Sequence, residues 1–241
     1  INMGNGEPAV IGGIAKGSGM IFPHLGLATM LSFIYTDASV GEEVLRRSLK
    51  EAVDNSFNMV VVDGDMSTND MVVLVSTGRS VKVSEEDFKA GLQFVCRELA
   101  KLIAKDGEGA TKFIEVKVKG APSVGDAREV ARSILRSPLV KSAIQGERPD
   151  FMCGRIIAAI GSSAIAGDVD SRGLSIRLKS GKEVIAVKKG EFMDLSGVAR
   201  EILRGKEIFI EVDIGTGEEG EATAWGCDLS YEYVRINAGL H

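Results

Sequence analysis

The chain has 241 residues and a mass of 25.6 kDa, with 44% hydrophobic and 26% charged residues; this composition excludes a disordered chain and fits one large domain or two small ones. Lys+Arg is 29 against 34 for Asp+Glu, a net charge of −5, so no basic excess argues for nucleic acid as the partner. The cysteines Cys96, Cys153 and Cys227 are odd in number and far apart, and the only histidines are His24 and His241. Neither a disulfide framework nor a metal or other cofactor site is expected, and a cytoplasmic location is.

The N-terminal INMGNGEPAV has no basic stretch and carries Glu7, so it does not read as a secretory signal. Residues 17–36 hold no charge over 20 positions, long enough for a membrane span. Gly17, Ser18, Gly19, Pro23, His24 and Gly26 interrupt them, and they read instead as a buried segment of a soluble fold with no membrane partner. Along the chain, alternation and β-branched content predict strands over Ala9–Ile14, Thr29–Thr36, Met59–Asp63, Val72–Ser76, Phe113–Val118, Leu174–Leu178, Glu183–Val187, Glu207–Ile214 and Glu221–Trp225. Helical periodicity predicts Gly41–Asn55, Ser84–Lys105, Ser123–Ser137, Arg155–Ala166 and Leu195–Arg204, the second opening on a capping box of Ser84 and Asp87. The class is α+β, with helices packed on mixed sheets, and GERPDFMCG at Gly146–Gly154 is the expected break between two lobes.

Four short patterns have ordinary readings. GTGEEG at Gly215–Gly220 has dinucleotide-loop spacing, but a strand follows where a helix is needed, so a glycine-rich hairpin is expected. DGDMSTND at Asp63–Asp70 begins like a calcium loop but has Thr68 where glycine is required and Leu74 where glutamate is; a polar turn whose acceptors could face a site is expected. Lys16 sits in AKGSGM, a loop whose glycines would let a ligand approach the backbone, and Glu108 sits in the turn KDGEGATK. Thr29 alone reads as a packing residue of a strand.

Together, IGGIAKGSGMI, ATML, TDA, VDGDMSTND, DGEGATK, SPLVK, AWGCDL and YVRINA, in this order from Ile11 to Asn237, resemble the ornithine acetyltransferase (glutamate N-acetyltransferase) family of arginine biosynthesis. The resemblance implies the α+β fold shared with an aminopeptidase that cleaves itself before a serine. It implies self-cleavage between Ala28 and Thr29 and catalysis by the freed Thr29. An α-amine of pKa about 7.7–8.0 would serve that hydroxyl as its base, which explains acyl transfer in a chain nearly without histidine. The resemblance also implies substrate contacts from Lys16, Thr29, Glu108 and Asn237. A lysine suits a substrate carboxylate and a glutamate suits an amine. The implied substrates are N-acetylornithine and glutamate, with acetyl-CoA open as a further donor. The implied partners are the fragment released by cleavage and further αβ units in a homo-oligomer.

By this reading residues 1–28 end an α-chain, 29–145 form the lobe with the nucleophile, and 146–241 form a smaller lobe. The chain departs from the family in a Phe22–Leu27 stretch longer by two residues and a longer RPDFMCGR without tryptophan. The family's final threonine contact would fall beyond His241. The family's Thr-Gly oxyanion hole lies upstream, and 28 residues precede Thr29, so these donors are expected from residues beyond this stretch or from a partner fragment. Two other classes stay open: an N-terminal-nucleophile amidohydrolase or aminopeptidase with water as acceptor, and a non-catalytic subunit.

Overall fold

The computed structural model describes residues 9–23, 30–80, 82–165, 169–195 and 197–239; His24, Ala28, Thr29 and His241 lie outside the described residues. The chain divides into two compact units, Ile1–Ile103 and Ala104–His241. Helices and mixed sheets occur in both, the α+β class the patterning predicts.

In the first unit, strands β1 (Ile11–Lys16), β2 (Leu31–Thr36), β3 (Val60–Val61) and β4 (Met71–Ser76) occur with helices α1 (Glu42–Asp54) and α2 (Glu85–Lys105), the latter ending just past the boundary. A three-stranded sheet runs β1-β2-β4, with β1 antiparallel and β4 parallel to β2. The parallel pair needs a long crossover, which α1 supplies. LSFIYT alternates as expected of a strand with one buried face: Ser32, Ile34 and Thr36 are buried, and the Thr36 hydroxyl donates to the Val10 carbonyl at 2.8 Å. On the opposite face Ile14, Tyr35, Met71 and Val75 are 68, 53, 41 and 40% exposed. A Cβ at Gly13 would lie 3.0 Å from Leu99 Cδ1 and 3.2 Å from the Phe33 carbonyl oxygen, so glycine lets β1 lie close to α2 without displacing these neighbours. The first strand starts two residues later than expected, since backbone pairing with β2, not side-chain pattern, sets its ends. Lys16 is therefore the last residue of a strand rather than a loop residue. Ser84 caps α2, accepting from the Asp87 N–H at 3.1 Å.

The second unit contains β5 (Phe113–Ala121), α3 (Val124–Arg136), α4 (Pro138–Gln145), α5 (Pro149–Gly161), β6 (Ser175–Ser180), β7 (Lys182–Lys188), β8 (Glu191–Phe192), α6 (Val198–Leu203), β9 (Glu207–Asp213), β10 (Gly220–Cys227) and α7 (Tyr231–Asn237). Its strands follow the order β10-β5-β9-β6-β7-β8, with β5 and β9 parallel and the other pairs antiparallel. Ile114, Val116, Val118, Ile208, Ile210 and Val212 alternate onto the buried face, and α3 packs on β5 and β10 through Ala127, Val130, Ala131 and Ile134. The other face is charged and zipped across strands, Lys117 to Glu221 at 2.8 Å and Lys119 to Glu211 at 3.0 Å.

The structure departs from the sequence expectations at the helix over Arg155–Ala166 and at GTGEEG, and it adds two short helices for which no element was expected. The helix expected over Arg155–Ala166 begins at Pro149, where proline is favourable in the first turn, so GERPDFMCG leads into a helix inside the second unit. SPLVK and YEYVRIN are short helices capped by Ser137 and Ser230. GTGEEG makes no hairpin, because β9 and β10 lie on either side of β5; it crosses the end of β5, where the Thr216 hydroxyl donates to the Gly120 carbonyl at 2.8 Å. Among the described residues no helix is long and apolar enough to cross a membrane.

The crossing depends on glycine at one point more than another. Gly215 and Gly217 have φ of 78° and 83°, but a Cβ on Gly215 would lie 2.4 Å from the Gly173 carbonyl oxygen, while one on Gly217 meets nothing within 4 Å. Gly217→Ala should cost about 1–2 kcal/mol for a left-handed alanine. Gly215→Ala adds a backbone clash and should cost about 3 kcal/mol or more. Denaturant midpoints check the order, and equal losses would contradict it.

Candidate active site

In the first unit three strand ends share one register row, Lys16 opposite Leu31 and Leu31 opposite Met71. The segments entering this row are held by the two outer aspartates of DGDMSTND. Asp63 accepts from the N–H groups of Met20 at 2.6 Å and Ile21 at 3.1 Å, and from its own loop at Asp65 N, 3.2 Å. Met20 has φ 53°, an uncommon conformation for a side chain, which these bonds help to hold. Asp70 accepts from the N–H of Met30, the residue following Thr29. Met30 is fully buried and Asp70 is 9% exposed, and the second carboxylate oxygen of Asp70 has no hydrogen-bond partner among the described residues. Burial pushes the Asp70 carboxyl up from its ordinary value, against the Met30 N–H and the Lys16 charge, which pull it down. Lys16 itself is exposed. The calcium-like spacing thus serves backbone N–H groups. Among the described residues no group of three or more His, Cys, Asp or Glu is placed to hold a metal.

In the second unit the Glu108 carboxylate accepts from the Asn237 side-chain amide at 2.9 Å; the same amide donates to the Tyr233 carbonyl at 3.0 Å. These two residues lie 129 positions apart, and AWGCDLSYEYVRIN brings them together by clamping DGEGATK. Asp228, 2% exposed, accepts from the N–H groups of Thr111 at 2.8 Å and Lys112 at 2.9 Å and from the Thr111 hydroxyl. The Ser230 hydroxyl donates to the Gly109 carbonyl at 2.6 Å. Gly109 has φ 67°, and a Cβ there would lie 2.4 Å from the Tyr233 nitrogen, so this contact admits only glycine. The buried Lys112 ammonium donates to the Leu203 carbonyl and to Glu147 at 3.2 Å, which accounts for the lysine of this string structurally. A partly buried carboxylate steadied by an amide can accept a substrate ammonium without first having to be ordered.

Of the residues singled out in the sequence, Glu108 and Asn237 share one hydrogen bond in the second unit, and Lys16 lies near Asp70 and Met30 in the first. Ala28 and Thr29 lie outside the described residues. Sequence reasoning missed Asp63, Asp70 and Asp228 as holders of these segments. The only signal was an acidic residue in a polar turn for Asp63 and Asp70 and one just past a strand for Asp228, neither of which names its distant partner.

Asp228→Asn should weaken the clamp, because an amide presents one neutral acceptor where three donors converge. A loss of about 1.5–3 kcal/mol is expected, the worth of a hydrogen bond to a charged acceptor. Amide hydrogen exchange should accelerate at Thr111 and Lys112; unchanged exchange there would show that Asp228 does not hold the loop.

The ArgJ family profile matches residues 1–241. A glutamate N-acetyltransferase of Methanosarcina mazei is 53% identical over 235 residues, 95% of this chain and 58% of that protein. An arginine biosynthesis bifunctional protein ArgJ of Staphylococcus saprophyticus is 47% identical, over 97% of this chain and 56% of that protein. The chain therefore spans somewhat over half the length of these curated relatives. A crystal structure of arginine biosynthesis bifunctional protein ArgJ from Bacillus halodurans superimposes with a TM-score of 0.80 at 41% identity, covering 88% of this chain and 100% of that one. By sequence and by fold, the chain belongs to the ArgJ family.

Proposed function

We propose that this chain carries the acetyl-transfer chemistry of a glutamate N-acetyltransferase in arginine biosynthesis. The observation that carries the reading is the family match along all 241 residues, together with relatives of that name at about half identity. The protein cuts itself between Ala28 and Thr29. The Thr29 hydroxyl then attacks the acetyl carbonyl of N-acetylornithine while its proton passes to the Thr29 α-amine. The amide C–N bond breaks, ornithine leaves with that proton, and the acetyl group stays as an ester on Thr29. The amine of glutamate attacks the ester, releasing N-acetylglutamate and restoring the hydroxyl.

Charge assigns the remaining roles. Glu108, steadied by Asn237, takes a substrate ammonium, and Lys16 takes a substrate carboxylate. The fragment ending at Ala28 stays with the protein, and further αβ units complete a homo-oligomer. The exposed apolar face of Ile14, Tyr35, Met71 and Val75 supports a further partner surface for this sheet. We place the protein in the cytoplasm, a reading supported by three buried free cysteines and by the biosynthetic role.

Thr29→Ala should leave the whole protein uncut and without transfer. Thr29→Ser keeps the oxygen but loses the methyl that stiffens χ1, and should cut slowly and transfer at a reduced rate. Glu108→Gln should raise KM for N-acetylornithine about 10-fold or more, the equivalent of one charge-assisted hydrogen bond, and leave cutting untouched. Near-normal transfer by Thr29→Ala would remove this function, and an unchanged KM would remove the role of Glu108.

A further inference from the structure

The charged face of the second unit's sheet carries a hollow of about 240 Å³ over β5, β6, β9 and the end of β7. Four cations line it, Lys119, Arg177, Lys188 and Lys189, against two carboxylates, Glu211 and Asp213. The carboxylates are already satisfied. Lys119 pairs with Glu211 at 3.0 Å and reaches Asp213 at 4.0 Å, and Asp213 also accepts from the Gly215 N–H at 3.0 Å. Arg177 is paired from outside the hollow, with Glu183 at 3.0 Å. Lys188 and Lys189 form no ion pair among the described residues, although Glu191 stands opposite Lys188 in register. A chain whose net charge is −5 thus gathers a local positive excess in a concave place. Glu211 registers that field: the hydrogen bond from Lys119 holds its carboxyl below the usual value, against burial, and the charges of Lys119, Arg177 and Lys117 add to the effect.

The backbone fixes the lysine pair. Lys189 has φ 47° and Gly190 φ 81°, and the Gly190 N–H donates to the Leu174 carbonyl at 2.8 Å. A Cβ at Gly190 would lie 2.6 Å from the Ser171 carbonyl oxygen, so this turn rests directly on the segment that leads into β6. The Ser175 hydroxyl accepts from the Lys189 N–H at 3.1 Å, and its own proton has no acceptor among the described residues. Two ammonium groups and a hydroxyl donor, on a turn ordered in advance, suit an anion of two charges. Lysine binds phosphate as a point charge, and the volume lies below the roughly 300–1,000 Å³ of pockets for drug-sized ligands, which points to a small group.

We propose that this hollow binds a phosphoryl group, with Lys188 and Lys189 supplying the charge and the Ser175 hydroxyl donating to one phosphoryl oxygen. The site belongs to the second unit alone and does not rest on the acetyl-transfer chemistry. Free inorganic phosphate and the phosphate of a nucleotide present the same chemistry, and the test separates them.

The whole protein is titrated at constant ionic strength with inorganic phosphate, adenosine monophosphate and chloride, with amide NMR as the readout. Phosphate or adenosine monophosphate should move the resonances of Ser175, Lys189 and Gly190 along a saturable curve, and chloride should not; the tighter of the two identifies the source. Lys188→Gln combined with Lys189→Asn, a residue that tolerates the left-handed backbone, should weaken binding about 10-fold or more, the effect of losing two exposed charge pairs. Lys179→Gln removes a charge from the same face outside the hollow, and should change binding less than about 2-fold because salt screens it. Shifts that chloride reproduces, binding that survives the double substitution, or an equal loss in Lys179→Gln overturns the proposal. So does the lack of saturable binding of either phosphate up to about 10 mM. If thermal unfolding shows that the double variant does not fold, the unsubstituted protein decides: saturable shifts centred on Ser175, Lys189 and Gly190 support the site, and shifts centred elsewhere overturn it.

Discussion

The hydrogen bond from the Met30 N–H to the Asp70 carboxylate is the constraint on which the first unit's site depends. It ties the start of β2 to the residue preceding β4, and these two parallel strands carry the register row that also ends β1 at Lys16. A backbone N–H buried at that point would be costly without an acceptor, and a neutral acceptor would bring no charge. Asp70 supplies both, within a region whose burial already opposes its ionisation. Asp63 does the same for Met20 and Ile21 with a more exposed carboxylate. One polar turn therefore fixes the segments on both sides of the stretch that holds the Ala28–Thr29 bond.

The second unit uses the same device on a different loop. A loop carrying a reactive or binding carboxylate would lose affinity to disorder unless its backbone were held, and Asp228 holds it by three donors while Gly109 lets the chain of α7 lie against it. The result is a Glu108 whose partner is chosen by the fold rather than by sequence proximity.

The sequence made the strands and long helices legible because their burial alternates with the period of the element. LSFIYT and EIFIEVD show it clearly, and Ser84 with Asp87 marks the start of α2. What it did not reveal is physical. α4 and α7 have 8 and 7 residues, too few turns for a periodic signal, and their caps look like ordinary serines. Lys16 belongs to a strand because β2 pairs with glycine-rich β1 through backbone groups that carry no sequence pattern. The path of GTGEEG across β5 depends on strand order, which no local motif encodes. The holding aspartates act over 40 residues for Asp70 and up to 117 for Asp228, so their partners emerge only once the chain is folded. Glu108 and Asn237 entered the candidate site through family resemblance, since a carboxylate between glycines has no distinctive physics of its own.

The proposed chemistry uses a single residue as both nucleophile and base, in a chain with two histidines among its 241 residues. An α-amine near its ordinary pKa is suited to that task at neutral pH. The most direct measurement is mass spectrometry of the whole protein quenched after brief exposure to N-acetylornithine without glutamate, with the modified peptide sequenced. The expected result is one acetyl group on a polypeptide that begins Thr-Met-Leu, carried on Thr29 and discharged when glutamate is added. Turnover of N-acetylornithine with no acetyl group ever found on Thr29, or with an intact Ala28–Thr29 bond, would contradict it.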